Sequence, residues 1–388
     1  MVKLGIEKLI EDPSILKGKR TGLVGSATSV DRNFRSAVDL LHDHPGVRLT
    51  TIFGCQQGFW GETQDNMIEW ESCRYPIHDL PLYSLYGKER KPTAKMLKDV
   101  DALVFDIQDV GTRIYTFIWT MANCMQACAD LGKEFVVCDR PNPINGVAVE
   151  GNVSQEEFAS FVALYALPLR HGMTVGEIAE YVNGEFKPGC RLTVMKMEGW
   201  RREQWLDETD APWVIPSANM PTLETAVVYP GTVIFEGTNI SEGRGTTRPF
   251  EFVGAPFIDG FKLAAMLEGY KLSGVFFRPC FFLPTFSKFA GQNCGGVQLH
   301  VTDRGAFLPV KTALAILKTI MDLYPGEFAW KEPPYEYTFD KLPIDMIFGC
   351  DWIRKELEKK ASVETILDRA EIELKDFMPR REKYLLYR

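Results

Sequence analysis

The segment from Ala102 to Cys138 reads Ala102-Leu-Val-Phe-Asp-Ile107, then a polar loop, a helical stretch over Thr116–Leu131, and Glu134-Phe-Val-Val-Cys138. The two short apolar runs are typical of buried strands, and the stretch between them has helical periodicity. In a strand–helix–strand unit, the helix is the crossover that joins two parallel strands of one sheet. This segment therefore predicts a parallel sheet with crossover helices.

The same alternation extends through the first two thirds of the chain and predicts an α/β domain. Further strands are predicted over Arg20–Val24, Leu49–Phe53, Leu192–Met197 and Val227–Phe235. Further helices are predicted over Asn33–His42 and Thr93–Lys98. Another helix is expected to open at Thr174-Val-Gly-Glu177, a capping box in which both side chains satisfy backbone donors.

The residue composition and hydrophobic pattern change after about residue 256, which indicates a separate α+β domain. An aromatic, proline-rich stretch leads into an alternating strand and an amphipathic helix. These features lie at Phe276–Pro284, Gly296–Thr302 and Val310–Leu323, and shorter helices are expected over Trp352–Lys360 and Val363–Leu374. We therefore predict two domains, over residues 1–255 and 256–388, as the length of 388 residues also suggests.

The charge balance makes nucleic acid a poor candidate partner. The chain has 44 Lys and Arg against 52 Asp and Glu, a formal net charge of −8, and no long basic run. With 45% hydrophobic and 25% charged residues, its composition is that of an ordinary globular protein rather than a disordered one.

The cysteines and the apolar segments predict a cytoplasmic protein that does not insert into a membrane. The nine cysteines are odd in number and scattered, which favours free thiols in a reducing compartment and no structural zinc. The first twelve residues carry several charges and lack the apolar core of a signal peptide. The longest apolar stretch, Phe158–Leu169, is too short to span a bilayer.

Nucleotide cofactors are not supported by the sequence. The first predicted strand runs into Gly22-Leu-Val-Gly-Ser-Ala-Thr-Ser-Val30, which lacks the glycine pattern of dinucleotide-binding sheets, and no P-loop pattern occurs. We predict no cofactor and no metal. Ligands of an open parallel sheet bind beyond the carboxyl ends of its strands, so the loops at those ends are the candidate site.

The loop after the second strand, Phe53-Gly-Cys-Gln-Gln-Gly-Phe-Trp-Gly-Glu-Thr-Gln-Asp-Asn-Met-Ile-Glu69, concentrates aromatic, amide and acidic residues. Phe59 and Trp60 are suited to stack on a sugar face, and Gln56, Gln57 and Asn66 are suited to hydrogen-bond hydroxyl groups. The alternative is an ordinary solvated loop.

The third strand ends in Asp106 and Asp109, and the loop continues to Arg113 and Tyr115. Two nearby carboxylates suit general acid/base work, because each raises the proton affinity of the other. Alternatively, Asp106 ties down the loop and Asp109 caps a helix.

The fourth strand ends in Cys138-Asp-Arg-Pro-Asn-Pro-Ile-Asn-Gly146, a rigid turn that presents Arg140 and Asn142, with Glu150 following. An Asp139–Arg140 pair that merely holds this loop is the alternative. His171 precedes a helix, where it serves as a neutral hydrogen-bonding group or as a structural cap.

Two later loops are crowded with small polar residues. Pro216-Ser-Ala-Asn-Met-Pro-Thr222 presents Asn219, and the segment from Phe235 to Arg248 contains Asn239 and Arg244. Backbone N–H groups and Arg244 in this second loop are suited to bind an anion. Because the loop also contains Glu236 and Glu242, an acid/base role competes with anion binding.

Several of these segments resemble those of the exo-acting β-N-acetylmuramidases, glycoside hydrolase family 171, long known as a domain of unknown function. They are Gly54–Gly61, Val104–Arg113, Asp139–Ile144, Arg170–Thr174, Pro216–Thr222, Glu236–Pro249 and Cys294–Arg304. The resemblance implies a Rossmann-like parallel-sheet catalytic domain followed by a smaller α+β auxiliary domain, with the active site in the cleft between them. It also implies release of N-acetylmuramic acid from the non-reducing end of peptidoglycan fragments, as in cell wall recycling, without a cofactor or metal.

The sequence departs from the family at Cys55-Gln56-Gln57-Gly58, where members typically carry Pro-Glu-His-Gly and the Glu is the favoured catalytic acid. An amide cannot donate the proton that a glycosidic leaving group needs. Three alternatives follow: a nearby carboxylate such as Glu62, Asp65 or Glu69 substitutes, the enzyme acts on a different glycoside, or the protein binds sugar without cleaving it.

The leading hypothesis is a glycoside hydrolase that acts on a muropeptide-type amino sugar. The predicted acid/base residues are Glu62, Asp106, Asp109, Glu150 and Glu242. The predicted substrate-binding residues are Gln56, Gln57, Trp60, Asp65, Asn66, Arg113, Tyr115, Arg140, Asn142, His171, Asn219, Asn239 and Arg244. A guanidinium of Arg113, Arg140 or Arg244 has the geometry to pair with a lactyl carboxylate.

Overall fold

The computed structural model describes residues 1–65 and 67–388, and its first domain is built on a twisted, mostly parallel sheet. The sheet has the strand order β3-β4-β2-β1-β5-β6-β9, and only β3 runs antiparallel to its neighbour. The strands are β1 (Arg20–Gly25), β2 (Arg48–Gly54), β3 (Cys73–Tyr75), β4 (Leu80–Ser84), β5 (Ala102–Phe105), β6 (Glu134–Cys138) and β9 (Arg191–Met195), with a separate hairpin of β7 (Glu150–Val153) and β8 (Pro168–Arg170). The predicted α/β sheet is confirmed.

Helices cover both faces of this sheet, which explains why its strands are continuous apolar runs. The helices of the chain are α1 (Gly5–Glu11), α2 (Ala37–His42), α3 (Phe117–Asp130), α4 (Val175–Tyr181), α5 (Leu223–Thr232), α6 (Gly260–Glu268), α7 (Pro309–Leu323), α8 (Pro343–Phe348), α9 (Trp352–Glu358) and α10 (Val363–Glu382). In β5, Leu103 and Phe105 face the core that contains α3 and α4, whereas Ala102 and Val104 face the core that contains α1 and α2.

The C-terminal part of the chain forms the predicted α+β domain around an antiparallel sheet. Its strands are β10 (Phe252–Ala255), β11 (Val275–Phe282) and β12 (Cys294–Val301), in the order β10-β12-β11. Helix α6 packs against β11 and β12, α7 packs against α6, and α5 packs against α7. The predicted boundary after residue 255 assigns β10 to the first domain, whereas the structure pairs it with β12.

The strand predicted over Val227–Phe235 is wrong, because this segment forms α5 and a following helical turn. The Thr222 hydroxyl accepts a hydrogen bond from the Thr225 N–H (3.3 Å) and opens the helix. Every residue of α5 except Glu224 is buried, so its β-branched side chains fill a core on all sides, and packing overrides their strand propensity. Gly231 permits the contact with α7, because a Cβ there would lie 2.0 Å from the Pro309 carbonyl oxygen.

The helix predicted over Thr93–Lys98 is also wrong. The segment forms hydrogen-bonded turns, one of which joins the Leu97 N–H to the Thr93 carbonyl oxygen at 3.0 Å. The predicted helix start at Thr174 is confirmed, because the Thr174 hydroxyl accepts from the Glu177 N–H and the Glu177 carboxylate accepts from the Thr174 N–H. Among the described residues, no helix has the length and apolar character needed to cross a membrane.

A buried carboxyl group links the two domains and gives the fold a testable pH dependence. Glu150 of β7 accepts a hydrogen bond from the Lys311 N–H of α7 (2.9 Å), and burial raises its pKa from 4.5 to about 7. Between these two values the folded protein binds more protons at Glu150 than the unfolded chain does. The contribution of Glu150 to stability therefore falls as the pH rises through this window and is smallest above pH 7.

Replacing Glu150 with Gln removes this titration. We expect the free energy of unfolding of Glu150→Gln to rise relative to the wild type by about 2 to 3 kcal/mol between pH 5 and pH 8. Urea unfolding at the two pH values measures the difference. Glu156→Gln, at a nearby exposed position, is the matched control and is expected to follow the wild type. Parallel pH curves for Glu150→Gln and the wild type would contradict the prediction.

Candidate active site

A small polar cavity lies where loops of the first sheet meet the C-terminal domain. Polar, aromatic and charged side chains from both parts of the chain line it. They are Gln56, Gln57, Ile114, Tyr115, Thr116, Phe117, Val162, Ser217, Asn219, Met220, Tyr229, Glu236, Arg244, Phe250, Tyr335 and Glu336. The loops after β2 and β5 supply the first five of these residues, as expected for the carboxyl ends of parallel strands.

The Gln56 side chain is fixed in the wall of this cavity by three hydrogen bonds. Its Oε1 accepts from the Thr116 hydroxyl at 2.5 Å. Its Nε2 donates to the Tyr86 hydroxyl at 2.9 Å and to the Glu336 Oε1 at 3.1 Å. The NH₂ end of the amide therefore faces Glu336, and its carbonyl end faces Thr116.

Glu336 enters the cavity from a tight turn of the C-terminal domain. Tyr335 and Thr338 exchange two backbone hydrogen bonds, of 3.1 and 2.9 Å, which leaves Glu336 and Tyr337 as the two residues of the loop. The Glu336 carboxylate also accepts from the Tyr86 hydroxyl (2.8 Å). Burial raises the pKa of Glu336, although the hydrogen bonds from Tyr86 and Gln56 oppose this effect.

A second buried carboxylate in the cavity, Glu236, is held by a cation. The Arg244 Nη2 donates to the Glu236 Oε1 at 2.6 Å, and the Tyr335 hydroxyl donates to the Oε2 at 2.8 Å. Burial alone would raise the pKa of Glu236, but the charge and hydrogen bonds of Arg244 outweigh it and hold this pKa below its ordinary value. The cavity thus contains two carboxyl groups whose surroundings move their pKa values in opposite directions.

A neighbouring cavity shares Glu236 and Arg244 with the first. Its other lining residues are Asp65, Met67, Glu242, Ser287, Lys288 and Lys331. Glu242 is paired with Lys288 at 2.8 Å and with Arg244 at 3.3 Å. The Glu236–Arg244 pair therefore forms a wall common to both cavities.

Some of the predicted site residues line these cavities. In the main cavity they are Gln56, Gln57, Tyr115, Asn219 and Arg244. Asp65 and Glu242 line the neighbouring one. Asn219 donates to the Gln64 carbonyl oxygen, which joins its loop to the one after β2. The predicted ligand Asn66 lies outside the described residues.

Asp106 takes part in a structural pair rather than in the lining of either cavity. Its two carboxylate oxygens accept from Nε and Nη2 of Arg140, both at 2.7 Å, and both side chains are buried. Arg140 also donates to the Val30 carbonyl oxygen at 2.8 Å. This geometry corresponds to the alternative in which Asp106 ties down the loop, and its partner, Arg140, lies in the loop after β6.

Asp109 and His171 lie close to each other in the interior, outside the two cavity linings. The Asp109 Oδ2 accepts from the Gly111 N–H at 2.8 Å and lies 3.8 Å from the His171 Nε2. The His171 Nδ1 accepts from the Met173 N–H at 3.2 Å, so this ring ties down its own loop. Asn142 donates to the Met173 carbonyl oxygen at 3.0 Å and is part of the same buried polar region.

The remaining predicted residues also lie elsewhere. Arg113 is buried and donates to the carbonyl oxygens of Ile347 and Phe348, both at 2.9 Å. Asn239 hydrogen-bonds the backbone of Glu327 and Ala329. Glu62 is exposed, Trp60 is 48% exposed, and Glu150 is buried beneath α7. None of these five lines the main cavity as the structure describes it.

Glu336, Tyr335 and Tyr86 were not predicted from the sequence. Glu336 lies in Pro333-Pro-Tyr-Glu-Tyr337, a proline-rich turn that follows no strand of the parallel sheet. The rule that favours strand-end loops therefore gave it no weight. The sequence does contain one signal for it: a single carboxylate lies between two tyrosines, Tyr335 and Tyr337.

A group with the geometry to hold a metal ion lies at the surface of the first domain. It contains His42, Asp43 and His78, and the two imidazole rings stack with their centroids 3.8 Å apart. None of the three lines either cavity in the described part of the chain.

Two family models match almost the entire chain. The N-terminal model of the exo-β-N-acetylmuramidase NamZ matches residues 21–224, and the C-terminal model matches residues 227–387. The chain belongs to the NamZ family. The two models meet beside α5, so the main cavity lies between the two NamZ halves, and the family predicted from the sequence motifs is confirmed.

Relatives support the NamZ assignment over the full length of the chain. The peptidoglycan β-N-acetylmuramidase NamZ of Bacillus subtilis (strain 168) is 49% identical over 387 residues, covering 100% of this chain and 91% of the relative. Two crystal structures of DUF1343 family proteins from Bacteroides fragilis NCTC 9343 are similar, each covering 100% of this chain and 99% of its own. Their TM-scores are 0.90 and 0.77, at 36% and 28% identity.

Proposed function

We propose that this protein is an exo-acting β-N-acetylmuramidase that releases terminal N-acetylmuramic acid from peptidoglycan fragments. The observation that carries the proposal is the pair of buried carboxyl groups, Glu236 and Glu336, in a cavity between the two NamZ halves. Most glycoside hydrolases use two carboxyl groups that flank the scissile bond, one as an acid and the other as a base or nucleophile.

The lining of the cavity supports a sugar as its ligand. Tyr115 and Tyr229 offer aromatic faces, and Gln57 and Asn219 offer amide groups for hydroxyl or N-acetyl substituents.

Glu236 is the carboxylate that we assign to the ionised role. Its pairing with Arg244 keeps it negative while positive charge develops at the anomeric carbon in the transition state. Of the three arginines considered for a lactyl carboxylate, Arg244 is the one whose side chain lines the main cavity. Arg113 and Arg140 are instead engaged with backbone carbonyl oxygens and with Asp106.

We place this reaction in the cytoplasm, on peptidoglycan fragments taken up for recycling. The nine cysteines of the chain are free, and eight of them are buried. Unpaired thiols in this number are typical of a reducing compartment.

A set of small glycosides tests the proposed function. We expect turnover of 4-nitrophenyl β-N-acetylmuramide and of the disaccharide with N-acetylmuramic acid at its non-reducing end. We expect no turnover of the disaccharide of reversed order or of 4-nitrophenyl β-N-acetylglucosaminide, since neither offers a terminal muramic acid. Cleavage of the reversed disaccharide would contradict the exo specificity. Binding of N-acetylmuramic acid without turnover of any glycoside would favour a sugar-binding homologue instead.

A further inference from the structure

We infer that Glu336, supplied by the C-terminal domain, is the general acid of this site. The inference rests on the proposed function, because it assigns a role within that hydrolysis. Gln56, at the end of β2, has an amide that cannot supply a proton, but it donates a hydrogen bond to the carboxyl group that can.

The turn that contains Glu336 has a backbone conformation that its residue types disfavour. Glu336 and Tyr337 have φ angles of 44° and 63°, so both residues of this two-residue loop are in the left-handed region. Such turns normally contain Asn-Gly or similar pairs, because larger side chains are disfavoured there. Non-glycine residues held in this conformation cluster at functional sites. Here the strained turn delivers a carboxyl group to the cavity.

The surroundings of the carboxyl group allow it to hold and release a proton. Glu336 is 7% exposed, lines the cavity and makes no ion pair within 4 Å among the described residues, in contrast to Glu236. The titratable or charged groups around it are Tyr86, Arg90, Tyr229, Glu236, Tyr335 and Tyr337. Burial and the negative charge of Glu236 raise its pKa, whereas Tyr86, Gln56 and Arg90 lower it, and the net direction is upward.

Two carboxyl groups whose pKa values are moved apart acquire different roles in the same site. Glu236, with its lowered pKa, stays ionised, and Glu336, with its raised pKa, carries the proton at a higher pH than an exposed Glu. The carboxyl groups that the sequence suggested as substitutes for the general acid do not line the main cavity. Glu62 and Glu69 are exposed, and Asp65 lines the neighbouring cavity.

The chemical step balances with groups that are present and with water. Glu336 gives its proton to the glycosidic oxygen while the bond between that oxygen and the anomeric carbon breaks, so the leaving sugar departs as an alcohol. The hydroxyl group of a water molecule bonds to the anomeric carbon. The remaining proton of that water goes to a carboxylate of the site and returns through solvent to Glu336, which is thereby protonated again when the cycle ends.

The test compares leaving groups that differ in their need for a proton. The disaccharide loses a sugar alcohol and needs the acid, whereas 4-nitrophenyl β-N-acetylmuramide loses a stabilised phenolate and does not. For Glu336→Gln we expect kcat/KM to fall about 10²- to 10⁴-fold on the disaccharide and less than about tenfold on the aryl glycoside. The decline of activity at high pH, which reports ionisation of the acid, is expected to disappear from the aryl profile of this variant.

Glu332→Gln is the matched control, because it makes the same change at an exposed position of the same loop. Glu336→Asp keeps an acid but shortens it, and we expect an intermediate loss on the disaccharide with the high-pH decline retained. Thermal unfolding of each variant verifies the fold. Equal losses on both substrates in Glu336→Gln, or no loss on either, would overturn the inference. Failure of the proposed function is distinct, because the wild type itself would then turn over neither substrate.

Discussion

Replacing Glu236 with Gln is expected to lower kcat about 10³-fold or more on both the disaccharide and the aryl glycoside, with little change in KM. The amide keeps the size of the side chain and one acceptor oxygen, but it has no negative charge to stabilise the anomeric centre or to activate water. That charge is needed whatever the leaving group. Equal losses on the two substrates therefore distinguish Glu236 from an acid, whose loss depends on the leaving group. Steady-state kinetics with both substrates measures the effect.

Glu242→Gln is the matched control for this prediction. Glu242 is also buried and pairs with Arg244, at 3.3 Å, but it lines the neighbouring cavity rather than the main one. Each variant removes one negative charge from the surroundings of a buried guanidinium, so we expect both to lower the thermal midpoint. We expect only Glu236→Gln to lose most of its activity. A comparable loss of kcat in Glu242→Gln would contradict the assignment and return the role to Glu242.

The parallel sheet could be predicted from the sequence because its cause is local. In β5, α3 and β6 the apolar runs, the helical period and the lengths all indicate the same unit, and the observed strands differ from the predicted ones by a few residues at most. The segment Val227–Phe235 failed because β-branched residues suit a strand as well as a helix that is buried on all sides. Its state is decided by contact with α7, more than seventy residues later in the chain.

The residues of the candidate site likewise include some that local sequence patterns predict and others that depend on distant contacts. The strand-end rule found Gln56, Gln57 and Tyr115, because the carboxyl ends of parallel strands meet at one edge of the sheet. It also selected Asp106, which follows β5 but lines neither cavity, because its carboxylate pairs with Arg140. Glu336 reaches Gln56 across 280 positions of the chain, and nothing in the spacing of residues within either segment indicates that contact.

Replacing Gln56 with Glu is expected to move the high-pH limb of the activity profile upward by about one to three pH units. Thr116 can still donate to one oxygen of the new side chain, so it stays in place. The other oxygen then lies where the Nε2 now is, 3.1 Å from the Glu336 Oε1. Two carboxyl groups this close cannot both ionise easily, so they share a proton that is released at higher pH than from Glu336 alone.

The pH profile of kcat/KM on the disaccharide measures this shift, and Gln57→Glu is the control. Gln57 lines the same cavity and neighbours Gln56, but the structure gives it no hydrogen bond to Glu336. Its replacement adds the same charge to the cavity without a shared proton, so we expect a smaller displacement of the limb. Equal displacements in the two variants would mean that charge in the cavity, rather than contact with Glu336, governs the profile. A profile unchanged in Gln56→Glu would show that the carboxyl group beside residue 56 is not the one whose ionisation ends activity at high pH.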